Sequence, residues 1–345
     1  MQNEIRIKYK HLVSAIRDSL AAVSVPASVR EVEAEVMAEA DLFGVPSHGV
    51  RMLPGLIRGI REGRANPDPH LAIVRERGAV CALDGDNGPG RHTAVQAMSH
   101  AVERARQFGV GVCLAVRTTH WGRAHAYAYR AAQAGLIGLC TTNAIPNMLA
   151  WGSSRPLLGN NPLAIAVPRG IGQEPIVLDM AMSQVAVGKV GTFLREGKKA
   201  PLGWGLDAAG QPTDDPAAIL SSQKLLPLGE HKGVGLALMM ELLTGALGGI
   251  LSHEVVQLDS TGLDPNAVKF LLALDIEAFT DRERFAQKVQ DLLAYLQAAE
   301  PGLDITLPGE RGWQTRDRYL AEGIPIHADI VEQLKAIDFL LPSPL

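Results

Sequence analysis

Two stretches of the chain follow one plan. In "ARQFGVGVCLAVRTTHWG" and in "AAQAGLIGLCTTNAIPN" a helical pattern ends in glycine, a short apolar run follows, and the run opens into a polar loop. A helix stopped by glycine and followed at once by a strand is the building unit of α/β layers, so its repetition narrows the fold more than any other feature. Gly109 and Gly135 mark the two helix ends. With the further run "AVCALDG", these units predict an α/β (α+β) region over residues 71 to 175. Strand ends that open into loops are where such folds place ligands, which singles out His120 and Asn143 by position.

The flanking segments read differently. Residues 1 to 64 read as helical: "SVREVEAEVMAEADLFG" has Ser28 and Glu31 at capping-box spacing, Val32, Val36 and Ala40 on one face, and Gly44 as a stop. "RMLPGLIRGIREG" resumes an amphipathic pattern, and "RANPDPHL" is a proline-punctuated connection. Beyond residue 169, "KKAPLGWGLDAAGQPTDDP" reads as ordered loop with turns. A long apolar helix is expected from about Lys232, then a strand at "FLLALDI", a helix capped by Thr280 and two terminal helices. No repeat beyond the paired units and no low-complexity tract is found.

Composition excludes several classes of function. With 47% hydrophobic and 20% charged residues and a net charge of -4, the chain has an ordinary globular profile, and no basic balance invites nucleic acid or an anionic membrane. Cys81, Cys113 and Cys140 lie far apart in apolar surroundings, which suits neither a disulfide framework nor a CxxC metal site. The N-terminus is polar and no apolar run reaches ~18 residues, so neither a signal peptide nor a membrane span is expected. The expectation is a cytoplasmic protein.

Candidate chemistry centres on histidine. His48, in "VPSHGVRMLP", either finishes a turn or moves a proton, and an imidazole with an ordinary pKa of ~6.5 suits the second task. His120 adjoins Trp121, Gly122 and Arg123, so imidazole, indole and guanidinium are available to one pocket; the alternative is interior packing of Trp121. In "GEHKGVGLALMM", Gly229, His231, Lys232 and Gly233 precede an apolar helix, where backbone N–H groups and a lysine favour an anion. No GxGxxG follows a strand, and Walker A, HExxH and GxSxG patterns are absent, so no metal site is expected and a bound dinucleotide is not held by the usual fingerprint.

Taken in order, "SHGVRMLPGLIRGIREGRANP", "HWGRAHAYAYRAAQAGLIGLCTTNA", "WGSSRPLLGNNPLAIAVP", "LDMAMSQVAVGK", "GWGLDAAGQPTDDP", "HKGVGLALMMELLTGAL" and "LPGER" closely resemble the second type of malate/L-lactate dehydrogenase family. That family includes 2,3-diketo-L-gulonate reductase, ureidoglycolate dehydrogenase and Δ1-piperideine-2-carboxylate reductase. The resemblance implies a non-Rossmann NAD(P)-binding oxidoreductase fold and a homodimer, with cofactor preference between NAD and NADP open. The expected division is a helical domain from both termini (1–70 plus 312–345), an α/β domain with substrate loops (71–175) and a cofactor region (176–311).

Position by position, the resemblance makes His48 the proton donor and lets His120 orient substrate or polarise the same oxygen, with Ser47, Arg51, Arg123 and Asn143 toward a small carboxylate substrate. It carries cofactor contacts onto Val177, Leu178, Asp179, Met180, Ala181, Met182 and Ser183, onto His231 and Lys232, and onto Gly309, Glu310 and Arg311. The implied reaction is hydride transfer between nicotinamide and the carbon beside a carboxylate of a 2-oxo or 2-hydroxy acid. Met52 stands where many members carry an arginine, so Arg51 or Arg123 takes over the clamp or the substrate differs. "GNNP" replaces the common "GTNP", and "HWGR" tilts the resemblance toward a sugar-derived 2-oxo acid. A cyclic imine carboxylate reductase and a catalytically idle dinucleotide-binding dimer are the alternatives.

Overall fold

The structure, a computed structural model, describes residues 4–170, 172–258, 266–299, 305–337 and 339. Strand β1 (Glu4–Ile7) leads into helices α1 (Tyr9–Ala21) and α2 (Ala27–Leu42), two 3-10 turns (Pro46–His48 and Val50–Met52) and α3 (Leu53–Arg61). The central run is β2 (Ala72–Arg77), β3 (Val80–Gly88), α4 (Gly90–Phe108), β4 (Val110–Thr118), α5 (His125–Gln133), β5 (Ile137–Thr142), β6 (Met148–Leu149), β7 (Pro156–Leu158), β8 (Leu163–Val167) and β9 (Ile176–Met180). There follow α6 (Val187–Arg195), β10 (Gly205–Leu206), α7 (Pro216–Ser222), β11 (Lys224–Leu225), and α8 (His231–Glu241) with a π-type turn at Leu242–Ala246. The chain closes with α9 (Ser252–Leu258), β12 (Lys269–Leu274), α10 (Arg282–Ala299), α11 (Glu310–Glu322), β13 (Ile324–His327) and α12 (Ala328–Lys335).

Seven strands form the main sheet in the order β2-β3-β4-β12-β5-β8-β9. Only β3 and β4 run parallel as neighbours; the other pairs are antiparallel. This is not the doubly wound parallel sheet of a Rossmann fold. The two helix-strand units deliver β4 and β5, and their helices end at Gly109 (φ 81°) and Gly135 (φ 83°), in the left-handed region that glycine enters without steric cost. The strands are not adjacent, because β12 lies between them, with Leu271 opposite Cys113 on one side and Cys140 on the other. Four residues of α4 turned to the core, Ala94, Ala97, Ala101 and Ala105, are small, which brings the helix close to the sheet.

Three readings of the sequence are corrected. The first segment opens with a strand, β1, which pairs antiparallel with β13 and ties the two ends of the described chain together. Helix α2 starts at Ala27 with Pro26 as its extended N-cap, so Ser28 lies inside the first turn and makes no cap; the helix expected from Thr280 starts at Arg282. Strands β9 and β12, from beyond the expected division at 175, also join the main sheet. Residues 1–3, 338 and 340–345 of the expected helical unit lie outside the described residues. A smaller sheet, β10-β11-β6-β7, joins a satellite core of Val185, Val190, Ala200, Ile219 and Leu225 against which α6 is laid.

Candidate active site

A cleft of about 770 Å³ opens between the loop after α2, the loop between β4 and α5, the end of β9, and α6. His48 is the last residue of its 3-10 turn, and three groups hold this turn and the one that follows. Asp41 of α2 accepts the Val50 N–H through Oδ2 at 2.6 Å. Arg91 of α4 donates from Nη2 to the His48 carbonyl at 3.2 Å, while its Nη1 meets Glu33 Oε2 at 3.3 Å in a pair removed from solvent. Ser47 Oγ lies 2.9 Å from His48 Nδ1.

His120 enters from the end of β4. Its ring is 5.8 Å from that of His48, with 28° between the planes. Nδ1 accepts the Gly122 N–H at 3.0 Å, so in the neutral ring the proton sits on Nε2, a hydrogen-bond donor. Burial, then the charges of His48, Arg91 and Lys269, hold His120 well below the usual histidine range. His48 is lowered to about 4, chiefly by burial; Asp179 pulls it up, while Arg91, Arg123 and Arg51 push it further down. Both imidazoles are therefore neutral in the free protein at neutral pH.

Arg123 bears on the question raised by Met52. It lines the cleft, donates from Nε to Asp179 Oδ2 at 2.6 Å, and keeps Nη1 buried without a hydrogen-bond partner among the described residues. Such an N–H is costly to leave unsatisfied and is ready for a ligand oxygen. Arg51 does not line the cleft; the charges that act on it are those of Arg195 and Asp329.

Of the remaining expected residues, Ser47, Asp179, Met180 and Ala181 line the cleft. Asn143 does not. Its amide is fully engaged by backbone, donating to Ile250 O at 2.9 Å and accepting from Val268 N–H at 2.7 Å, so it braces the end of β5. Val177 and Leu178 are strand residues paired with Ala166 and Ile165. Met182 is buried and tied through its backbone to Asn160 and Leu228, and Ser183 Oγ donates to Val185 O. Gly309 packs on the Val177 backbone behind β9, Glu310 accepts the Leu307 N–H at 2.8 Å, and Arg311 is exposed; none of the three reaches the cleft.

His231 and Lys232 open α8, exposed, beside a second cleft of about 630 Å³ lined by Trp151, Gln184, Trp204, Gly229 and Glu230. The helix-terminus reading of this place weakens, because the N–H groups of Lys232, Gly233 and Val234 donate to Gly229, Leu228 and Glu230 carbonyls. Lys232 is left as the cation there. Gly233 has a packing reason of its own: a Cβ would lie 2.7 Å from Met182 O.

Sequence reasoning missed Asp41, Arg91 and Arg195. Asp41 looked like a polar residue of an amphipathic helix and Arg91 like the start of another, and only the crossing of α2 and α4 brings both under His48.

The malate/L-lactate dehydrogenase family profile matches residues 7–335. Malate dehydrogenase of Pyrococcus horikoshii is 34% identical over 97% of this chain and 95% of its own, and its solved structure superposes with a TM-score of 0.87. The (2R)-3-sulfolactate dehydrogenase (NADP(+)) of Chromohalobacter salexigens is 34% identical over 92% of this chain and 93% of its own. The structure of Δ1-piperideine-2-carboxylate reductase from Pseudomonas syringae pvar. tomato matches at TM-score 0.86 and 31% identity, covering 96% of this chain and 99% of that one. A mainly antiparallel sheet around a two-histidine cleft, with relatives of this kind, defines an NAD(P)-dependent oxidoreductase of 2-hydroxy and 2-oxo acids outside the Rossmann group. The chain belongs to the malate/L-lactate dehydrogenase family.

Proposed function

We propose that the first cleft interconverts a 2-hydroxy acid and its 2-oxo acid, with His48 exchanging the proton of the reacting oxygen. The observation that carries this reading is the facing pair His48 and His120 beside the unsatisfied Arg123 Nη1. A bound nicotinamide cofactor accepts or supplies the hydride. Arg123 holds the carboxylate and His120 donates from Nε2 to the same oxygen, which stabilises negative charge as it develops there. Neutral His48 is a base, ready to take the hydroxyl proton in the oxidative direction. For reduction it needs a proton first, and the arriving carboxylate favours protonation by adding negative charge to a cleft of low polarity.

The chain's own residues fit a dinucleotide. Asp179, Met180 and Ala181 line the first cleft and Gln184 the second, so one short segment joins the histidines to the neighbourhood of His231 and Lys232. A cofactor role for Gly309, Glu310 and Arg311 rests on the resemblance alone, while Gly309 also packs on the Val177 backbone.

A homodimer accompanies this reading. Leu236, Met239, Leu242, Leu243 and Leu247 leave an apolar face of α8 and its π-type turn exposed, as expected of a surface covered by another subunit. Among the described residues no helix is long and apolar enough to cross a membrane, and three buried free cysteines support a reducing, cytoplasmic setting.

Cyclic imine reduction is the second reading, favoured by the low proton affinity of His48, since a protonated imine brings its own proton. Following NADH and NADPH absorbance over a panel of 2-oxo acids, Δ1-piperideine-2-carboxylate and Δ1-pyrroline-2-carboxylate separates the two. Turnover of 2-oxo acids is expected; turnover of the imines alone would overturn the proposal.

A further inference from the structure

A second cationic site stands on α6. Helix α6 lies directly on the catalytic loop: a Cβ on Gly188 would be 2.3 Å from Ser47 Cβ. Seven residues on, Arg195 ends the helix and turns back, its Nη2 donating to Thr192 Oγ1 at 3.0 Å. At a rise of ~1.5 Å per residue, Thr192 stands about 6 Å along the axis from the Ser47 contact. Both Thr192 and Arg195 line the cleft.

The charges around Arg195 do not balance in pairs. Its Nε is 3.6 Å from Asp329 Oδ2, too long for a tight bond, and the other oxygen of Asp329 is taken by His327 Nδ1. The same two charges act on half-buried Arg51: burial, then the Arg195 charge, loosen its proton against the pull of Asp329. The acidic residues on the rim have cations of their own, Glu4 with Arg6 and Glu196 with Lys198. Lys189, which also lines the cleft, carries its Nζ 5.5 Å over the Trp204 ring. Arg195 thus has one partly engaged carboxylate beside it, in a cleft whose other arginine, Arg123, serves the reacting end.

We propose that Arg195 receives a second acidic group on the substrate, so that the preferred substrate is a dianionic 2-hydroxy or 2-oxo acid and not one with a neutral polyol tail. The inference rests on the reading of the cleft given under the proposed function. This second cation comes from α6, a helix seated on the catalytic loop, and is separate from the Arg123 clamp.

The test compares malate, lactate and a 2-oxo sugar acid on the wild type and on Arg195→Met, with cofactor affinity measured separately by fluorescence titration. Wild type should favour malate over lactate. In Arg195→Met the ratio of the two kcat/KM values should fall by about 30-fold or more, the scale of a lost charge-assisted pair, with Arg195→Lys recovering part of it and cofactor Kd moving less than twofold. A wild type that favours lactate or the sugar acid, or an unchanged ratio in Arg195→Met, overturns the assignment. A cofactor Kd that rises with the ratio unmoved gives the site to a cofactor phosphate and overturns it too. Turnover of lactate without preference for malate removes only the Arg195 assignment, whereas no turnover of any 2-hydroxy or 2-oxo acid removes the underlying reading of the cleft as well.

Discussion

His48 departs from an ordinary histidine in the direction of the base. With its pKa lowered to about 4 by burial first of all, the neutral form persists in the free protein down to far lower pH than an imidazole near ~6.5 allows. The kcat/KM for oxidation of a 2-hydroxy acid, which reports free-enzyme groups, should stay flat from pH 8 to about 5 and fall only as pH approaches the lowered value. A half-maximum near 6.5 in that profile would show that the cleft does not shift the group. Asp41 is shifted the other way, raised to about 7 by burial, so its carboxyl takes up a proton well before His48 does as pH drops below neutral. His48, His120 and Arg123 were legible because each sits in a short polar loop at the end of an element, where sequence neighbours are also spatial neighbours. Asp41 and Arg91 were not, since their roles arise only where α2 crosses α4.

At the scale of elements, glycine-stopped helices and the apolar runs behind them read correctly because their signals are local. Strand β1 escaped because "EIRI" is too short to show alternation and its partner, β13, lies more than three hundred residues along the chain. Asn143 was placed in the site by its position at a strand end, and the tertiary demand of Val268 and Ile250 for a partner turned it inward. Helix α8 is the element with the clearest unmet demand, as its outward leucines remain in water in a single subunit. Changing both Leu243 and Leu247 to Glu should convert a dimer to a monomer in sedimentation velocity, because two charges placed in an apolar interface are costly to bury. A variant that sediments as the wild type does would place the subunit contact elsewhere.

For the whole molecule, the α/β class was legible but the topology was not. Repetition of the helix-strand unit suggests neighbouring parallel strands; the chain instead threads β12 between them from about 130 residues further on, a pairing that no local pattern encodes. The consequence is functional, since the ends of β4, β5 and β9 converge on one cleft while the segment after β9 leads on to the second. The arrangement stands or falls on proton exchange at position 48. The most direct measurement is the turnover rate of His48→Asn on the best acid of the panel, with cofactor affinity titrated alongside as evidence of intact folding. A loss of ~10²- to 10⁴-fold, the usual share of a general acid-base, with cofactor Kd within twofold of wild type is the predicted result; a rate within twofold of wild type would contradict it.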